Sequence, residues 1–204
     1  MSFNVVIPAR LNSSRLKEKV LIEIHGIPML IHVAQRVSLS GAKNIVIATD
    51  DKKIAEVASH YNFKSVMTNK NHLSGTDRCL EASDINMWAD QDIIVNVQAD
   101  EPLIDPALID LVAKNVTESE SGYVTACSEF KSYKEFINPN NVKVVLDSHS
   151  HALYFSRSSI PYSSSKDLSH NNYAFHHLGI YAYRVKTLKK FCSFSISDLE
   201  RIER

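Results

Sequence analysis

Phe3-Asn4-Val5-Val6-Ile7 is an almost unbroken apolar run, and Pro8-Ala9-Arg10 ends it in a polar loop. Two later runs, Asn44 to Ala48 and Asp92 to Val97, repeat the form. Continuous rather than alternating apolarity marks a strand covered on both faces, as in a parallel sheet lying between helices. The segments between the runs have a different period. Leu30/Val33/Ala34/Val37, Ile54/Val57/Ala58/Tyr61 and Ile109/Val112/Ala113/Val116 each place an apolar stripe on one side of a helix. Strand, polar turn, helix and strand in succession are βαβ units, so the chain reads as α/β with a mostly parallel sheet. Helix punctuation agrees: Pro28 and Pro106 suit first-turn positions, Asp105 can cap the helix that Pro106 opens, and Gly41 lies where the first helix should stop.

From about Tyr123 the pattern changes. Val142 to Leu146 and Ala152 to Ser156 read as strands joined by the polar turn Asp147-Ser148-His149-Ser150-His151, an antiparallel excursion from the parallel grammar. Ser163 to Asn172 is polar and rich in serine, which predicts a mobile loop within the domain. A length of 204 residues with 44% hydrophobic content matches one domain over residues 1–204.

Twenty-three basic residues balance twenty-three acidic ones, so no global field favours nucleic acid or an anionic membrane. Any anion site must be built locally. No apolar stretch approaches the roughly 20 residues that cross a bilayer, and no basic leader precedes the first strand, so a cytoplasmic protein is expected. Cys79, Cys127 and Cys192 are odd in number and widely spaced, which predicts reduced structural thiols.

In an open parallel sheet, ligands sit beyond the carboxyl ends of the strands. After the first strand comes a loop carrying Arg10, Ser13, Ser14, Arg15, Lys17 and Lys19. Guanidinium forks, ammoniums and hydroxyls together can hold a triphosphate; a solvated basic loop has the same composition. The Gly-x4-Gly-Lys-Ser/Thr spacing of a Walker loop is absent. After the third run, Gln98-Ala99-Asp100-Glu101-Pro102 sets two carboxylates at the same edge. Magnesium is commonly held by one or two carboxylates plus substrate phosphates, so Asp100 is a candidate ligand, a plain turn being the alternative. Ser74-Gly75-Thr76-Asp77-Arg78 opens a helix and offers hydroxyls and amides to a ribose or base, or serves only as a cap. Among the nine histidines, His149/His151 lie in a polar turn without further zinc ligands nearby. His176/His177 precede a strand in which neighbours alternate faces, so one of the two can face a ligand. No Gly-x-Ser-x-Gly elbow or cysteine-histidine motif supports a covalent nucleophile.

Taken together, Ile7-Pro8-Ala9-Arg10 with Ser13-Ser14-Arg15-Leu16, Ala48-Thr49-Asp50, Ser74 to Arg78, Asn96 to Pro102, Asn138-Pro139-Asn140 with Val142-Lys143-Val144-Val145, Ala152 to Arg157 with Ile160-Pro161, and His177 to Tyr183 resemble the CMP-KDO synthetase family. These are the cytidylyltransferases that activate 3-deoxy-manno-octulosonate (KDO) for lipopolysaccharide assembly. The resemblance implies a three-layer nucleotidyltransferase fold whose antiparallel excursion serves dimerisation. It implies CTP on Arg10, Ser13, Ser14, Ser74, Thr76 and Arg78, with Arg15, Lys19 and Asp100 as catalytic residues and magnesium on Asp100. Gln98, Arg157, His177 and Tyr181 would face the sugar acid, and the partners implied are CTP, a KDO-like sugar acid and a second copy in a homodimer. An amino-substituted KDO or another eight- or nine-carbon keto sugar acid is the alternative substrate; a homologue that binds nucleotide without turnover is the alternative class.

The chain departs from the family pattern at several places. Lys17 and Glu18 stand where the loop usually reads Pro-Gly, which puts an extra negative charge near the phosphates, and Ala99 stands where glycine precedes the metal-binding aspartate. If that glycine serves a positive φ, Ala99 strains the turn; if it serves close approach, the added carbon crowds the nucleotide. Asp198 to Arg204 matches the start of the family's late helix. The part that follows it in relatives supplies a Leu-Glu-Gln-Leu-Arg segment at the sugar and a Val-Asp-Thr segment whose aspartate joins the metal. The expectation is therefore a chain that binds CTP and transfers cytidylate slowly, if at all.

Overall fold

The three apolar runs become parallel neighbours, in a computed structural model that describes residues 2–11, 16, 18–162 and 174–203. In chain order, β1 (Asn4–Ala9) leads through a 3-10 turn (Lys19–Leu21) to the ribbon β2 (Glu23–Ile24) and β3 (Ile27–Pro28). Then come α1 (Met29–Val37), β4 (Asn44–Thr49), α2 (Lys52–His60), β5 (Ser65–Met67), α3 (Gly75–Ile85), β6 (Ile93–Asn96) and α4 (Pro106–Glu118). The remainder is β7 (Tyr123–Ser128), α5 (Tyr133–Ile137), β8 (Lys143–Leu146), β9 (Ala152–Ser156), β10 (Ala174–Arg184), α6 (Val185–Cys192) and α7 (Asp198–Ile202). Two compact units result: Met1–Val124 with Ile180–Phe194, and Thr125–Gly179 with Ser195–Arg204.

In the first unit the parallel strands run in the order β5-β4-β1-β6, and the second half of β10 pairs antiparallel with β6, Tyr181 opposite Asn96. Val6, Val46, Ala48 and Ile94 share one face of this sheet, packed with Cys79 and Ala82 of α3 and Val185 and Leu188 of α6. Their neighbours Val5, Ile7, Ile47 and Val95 alternate to the other face and are equally buried. There α1 and α4 pack against β1 and β6 with the expected stripes inward, Leu30, Val33, Ala34 and Val37 from α1 and Ile109, Val112, Ala113 and Val116 from α4.

The helix signals hold with two adjustments. Asp105 caps α4, accepting from the Ala107 amide at 3.0 Å, with Pro106 in the first turn. Pro28 stands one residue earlier than expected, as the N-cap of α1, because its ψ of 140° is still extended. The first helix closes at Ser38, whose hydroxyl donates to the Ala34 carbonyl at 2.9 Å, before Gly41 is reached. Gly41 instead gives its amide to Asp110 Oδ1 of α4 at 2.8 Å.

In the second unit β8 and β9 form the expected antiparallel pair, Val144 opposite Phe155, and the first half of β10 pairs antiparallel with β8. Asp147 organises the turn between them by accepting from the His149 and His151 amides, both at 2.8 Å. The serine-rich stretch 163–172 lies outside the described residues. Cys79 is buried, Cys127 and Cys192 are partly buried, and all three are free thiols. Among the described residues, no helix is long and apolar enough to cross a membrane.

Candidate active site

Parallel pairing of β1 with β4, Ala9 opposite Thr49, and of β1 with β6 brings the residues after all three strands to one edge of the first unit. A cleft of about 120 Å³ opens there, lined by Pro8, Ala9, Arg10, His72, Ser74, Gly75, Arg78 and Gln98. That volume suits one end of a nucleotide, since whole drug-sized ligands occupy about 300 Å³ or more. Gly75 allows α3 to start against β1: a Cβ there would lie 3.2 Å from Pro8 Cγ. The α3 N-terminus therefore reaches the cleft with its amides still unsatisfied by the helix, the arrangement that favours anions.

Ser74 and Asp77 form a reciprocal cap. The Asp77 amide donates to Ser74 Oγ at 3.1 Å, and the Ser74 amide donates to Asp77 Oδ2 at 3.1 Å. Ser74 Oγ also donates to Asp77 Oδ2 at 2.7 Å, so its hydroxyl is largely committed to the helix start. Thr76 is turned elsewhere. Its hydroxyl bonds the buried Tyr183 phenol, which also takes Asn96 Nδ2 at 3.1 Å. Arg78, one turn into α3, is only 3% exposed. Its Nη1 donates to Thr68 Oγ1 at 2.5 Å and its Nη2 lies 3.4 Å from Asp50 Oδ2, so it braces α3 to the strand ends while lining the cleft.

Sequence reasoning did not single out His72, a cleft residue held by Glu81 through its Nε2. Burial opposes ionisation of Glu81, yet the Asn69 amide at 2.7 Å and the His72 ring hold its carboxyl below the usual range. Local sequence gives no signal for this pair, which forms because the segment leading into α3 folds back along that helix.

Lys19 and Asp100, 81 residues apart, meet with Nζ donating to Oδ2 at 2.5 Å, each side chain about two-fifths exposed (37% and 41%). Glu18 adopts φ 54° and ψ 29°, the left-handed region that glycine enters at low cost. Its carboxylate takes Lys53 Nζ at 2.6 Å, so the extra charge is paired. Ala99 is buried but is not among the positive-φ residues, so no left-handed strain attaches to it. Ser13, Ser14, Arg15 and Lys17 lie outside the described residues.

Of the residues assigned to a sugar acid, Gln98 lines the cleft and Tyr181 stands opposite Asn96 on β10. The Tyr181 ring packs against Tyr123 and Tyr183, with centroids 5.9 and 6.3 Å away, and burial pushes its phenol up to about 12. It remains a hydrogen-bond donor at neutral pH. Arg157 and His177 belong to the second unit. His177 Nε2 lies 2.9 Å from Thr125 Oγ1 and its ring meets Phe155 edge-on at 4.7 Å. Burial, and then His176 beside it, lower His177 to about 4, so the ring is neutral at physiological pH. Arg157 Nη1 donates to the Pro139 carbonyl at 3.0 Å.

Comparison with known proteins adds an independent line. Residues 4–204 match the cytidylyltransferase family model. The 3-deoxy-manno-octulosonate cytidylyltransferase of Serratia proteamaculans is 43% identical over 208 residues, covering 100% of this chain and 83% of the relative. That of Francisella tularensis subsp. novicida is 44% identical over 206 residues, covering 99% and 82%. A solved CMP:2-keto-3-deoxy-manno-octonic acid synthetase complexed with CTP superposes with a TM-score of 0.89 at 36% identity, covering 100% of this chain and 82% of its own.

Proposed function

The chain belongs to the cytidylyltransferase family, and we propose that it transfers CMP from CTP to the anomeric hydroxyl of 3-deoxy-D-manno-octulosonate, releasing pyrophosphate. The observation that carries the reading is the match in fold, over the whole chain, to a CMP-KDO synthetase that holds CTP. The cleft at the carboxyl ends of β1, β4 and β6 supplies the place, with Arg10, Gln98 and the α3 N-terminus around it.

In the reaction, the anomeric oxygen of the sugar acid forms a bond to the α-phosphorus as the bond from that phosphorus to the bridging oxygen breaks. The hydroxyl proton is released and pyrophosphate leaves. Phosphoryl-type transfer depends mainly on positioning and on stabilising spread negative charge. Arg10 and the α3 amides hold the nucleotide from one side of the cleft, with Arg78 behind them. Ser13, Ser14, Arg15 and Lys19 are assigned to the phosphates, and Gln98, Arg157, His177 and Tyr181 to the sugar acid. Burial keeps the His177 ring and the Tyr181 phenol uncharged near neutral pH, so each is assigned the part of a neutral hydrogen-bonding group.

Magnesium is assigned to Asp100. The donor set fits: an exposed carboxylate, next to Glu101, already holds a cation in the Lys19 ammonium. A hard divalent ion there would supply charge neutralisation for the triphosphate. Lys19 is then free to turn from Asp100 to phosphate oxygens. A homodimer, a cytoplasmic site of action and a place in lipopolysaccharide synthesis complete the proposal. Among the described residues β9 ends the strand order of the sheet, and the exposed Leu153 on it is the side chain that a second copy would cover. Light scattering at tens of micromolar tests it, a monomer being the contrary result. The activity is tested by following pyrophosphate release from CTP and magnesium with and without KDO; release that ignores the sugar acid would overturn the assignment.

A further inference from the structure

Lys143 is fully buried in the second unit, where a charged group is costly unless its donors are satisfied. Its ammonium has three N–H donors and meets three backbone carbonyls, those of Asn138 and Asn141 at 2.9 Å and of Arg157 at 2.6 Å. Among the described residues no carboxylate forms an ion pair with it, so it ties the 138–141 loop to the residue after β9 rather than neutralising a charge. Burial first, then the Arg157 charge, push Lys143 below the ordinary lysine range, and Glu203 opposes them.

Glu203 grips the other side of the same peptide. Its Oε2 accepts from the Arg157 amide at 3.1 Å, and its Oε1 accepts from Ser156 Oγ at 2.6 Å and Tyr154 Oη at 3.0 Å. The Ser156 hydroxyl and the Arg157 amide hold the Glu203 carboxyl below its usual range. Arg157 is thus held by its carbonyl, by its amide, and by its guanidinium through Pro139. A surface arginine needs none of this. Among the described residues one guanidinium N–H of five is engaged, at Pro139, which leaves the fork able to take a carboxylate in two parallel bonds.

We infer that Lys143 and Glu203 are positioning residues that fix Arg157 to receive the carboxylate of the keto sugar acid. This rests on the proposed placement of Arg157 at that substrate. Nucleotide binding, built in the first unit, should not depend on either residue.

The test uses the whole chain and isothermal titration with KDO and, separately, with CTP. Lys143→Met keeps the stem and removes the ammonium. It is expected to weaken KDO binding about 10-fold, the scale of one lost charge-assisted contact, with CTP affinity within about twofold of the parent. In an Arg157→Ala background the same change should add less than about twofold, because the group being positioned is gone. Equal losses in both backgrounds, an equal loss for CTP, or no loss for KDO would overturn the inference. Should Lys143→Met fail to fold, Glu203→Gln carries the test from the other side of the peptide, with the same split between KDO and CTP expected. A parent chain that binds CTP but not KDO would instead reject the sugar-acid role of Arg157, and the inference with it.

Discussion

Arg78→Met isolates the most deeply buried charge of the candidate site. The substitution keeps much of the stem's volume and deletes the fork that joins Thr68 at 2.5 Å and Asp50 at 3.4 Å. Removing one partner of a buried ion pair costs about 3–5 kcal/mol, because the other is left uncompensated. Asp50 retains one-fifth of its side-chain exposure and the contact is long, which lowers its share to about 2 kcal/mol. The unpaired Thr68 hydroxyl adds about 1 kcal/mol. The expected loss is therefore about 3 kcal/mol, a sizeable part of the roughly 5–15 kcal/mol that holds a domain folded. Urea unfolding, read at unchanged slope, measures it directly. Adding Asp50→Asn to Arg78→Met should return at least about 1 kcal/mol by removing the stranded charge. Arg78→Lys should recover only part, since an ammonium cannot span both partners in the guanidinium geometry. A loss under about 1 kcal/mol for Arg78→Met, or a second substitution that only worsens it, would refute the bracing role.

Lys19→Met should open Asp100 to metal: Mn²⁺ affinity without nucleotide, read by electron paramagnetic resonance, is expected to rise several-fold while CTP affinity falls, and unchanged Mn²⁺ binding would contradict the exchange of partners. The His177 ring, ordinarily near 6.5, is held at about 4, so between those values the unfolded chain takes up a proton that the folded chain refuses. Stability should be flat above neutrality and fall as pH drops through that window. A fully buried ring would carry about 3 kcal/mol, and partial exposure brings this to about 1–2 kcal/mol; His177→Gln should flatten the slope in urea unfolding across pH.

The parallel half of the fold was legible because each of β1, β4 and β6 is a run that only burial on both faces explains, and each following stripe has helical period. The cap at Ser74 and Asp77 was legible too, since both partners lie within one turn. Pairs spaced by more than one helical turn were not. Nothing local to His72 or Thr68 announces Glu81 or Arg78, because the segment before α3 must fold back along the helix to make those contacts, and Asp50 reaches Arg78 from the end of β4. Lys143 was hidden for a different reason: a lysine in an alternating strand is ordinarily assigned to solvent, yet this one is buried by three carbonyls. The departures from the family pattern also needed backbone angles to interpret. Glu18 takes the left-handed conformation where relatives carry glycine, whereas Ala99 does not.

Transfer of CMP to a keto sugar acid must release pyrophosphate from CTP. Pyrophosphate release is followed with CTP, magnesium and KDO for the parent chain and for Asp100→Asn, after titration has shown that both bind CTP and circular dichroism that both are folded. Release that requires both CTP and KDO, however slow, and that is lost in Asp100→Asn is the predicted result. A chain that binds CTP and releases no pyrophosphate on addition of KDO, or an Asp100→Asn variant as fast as the parent, would contradict it.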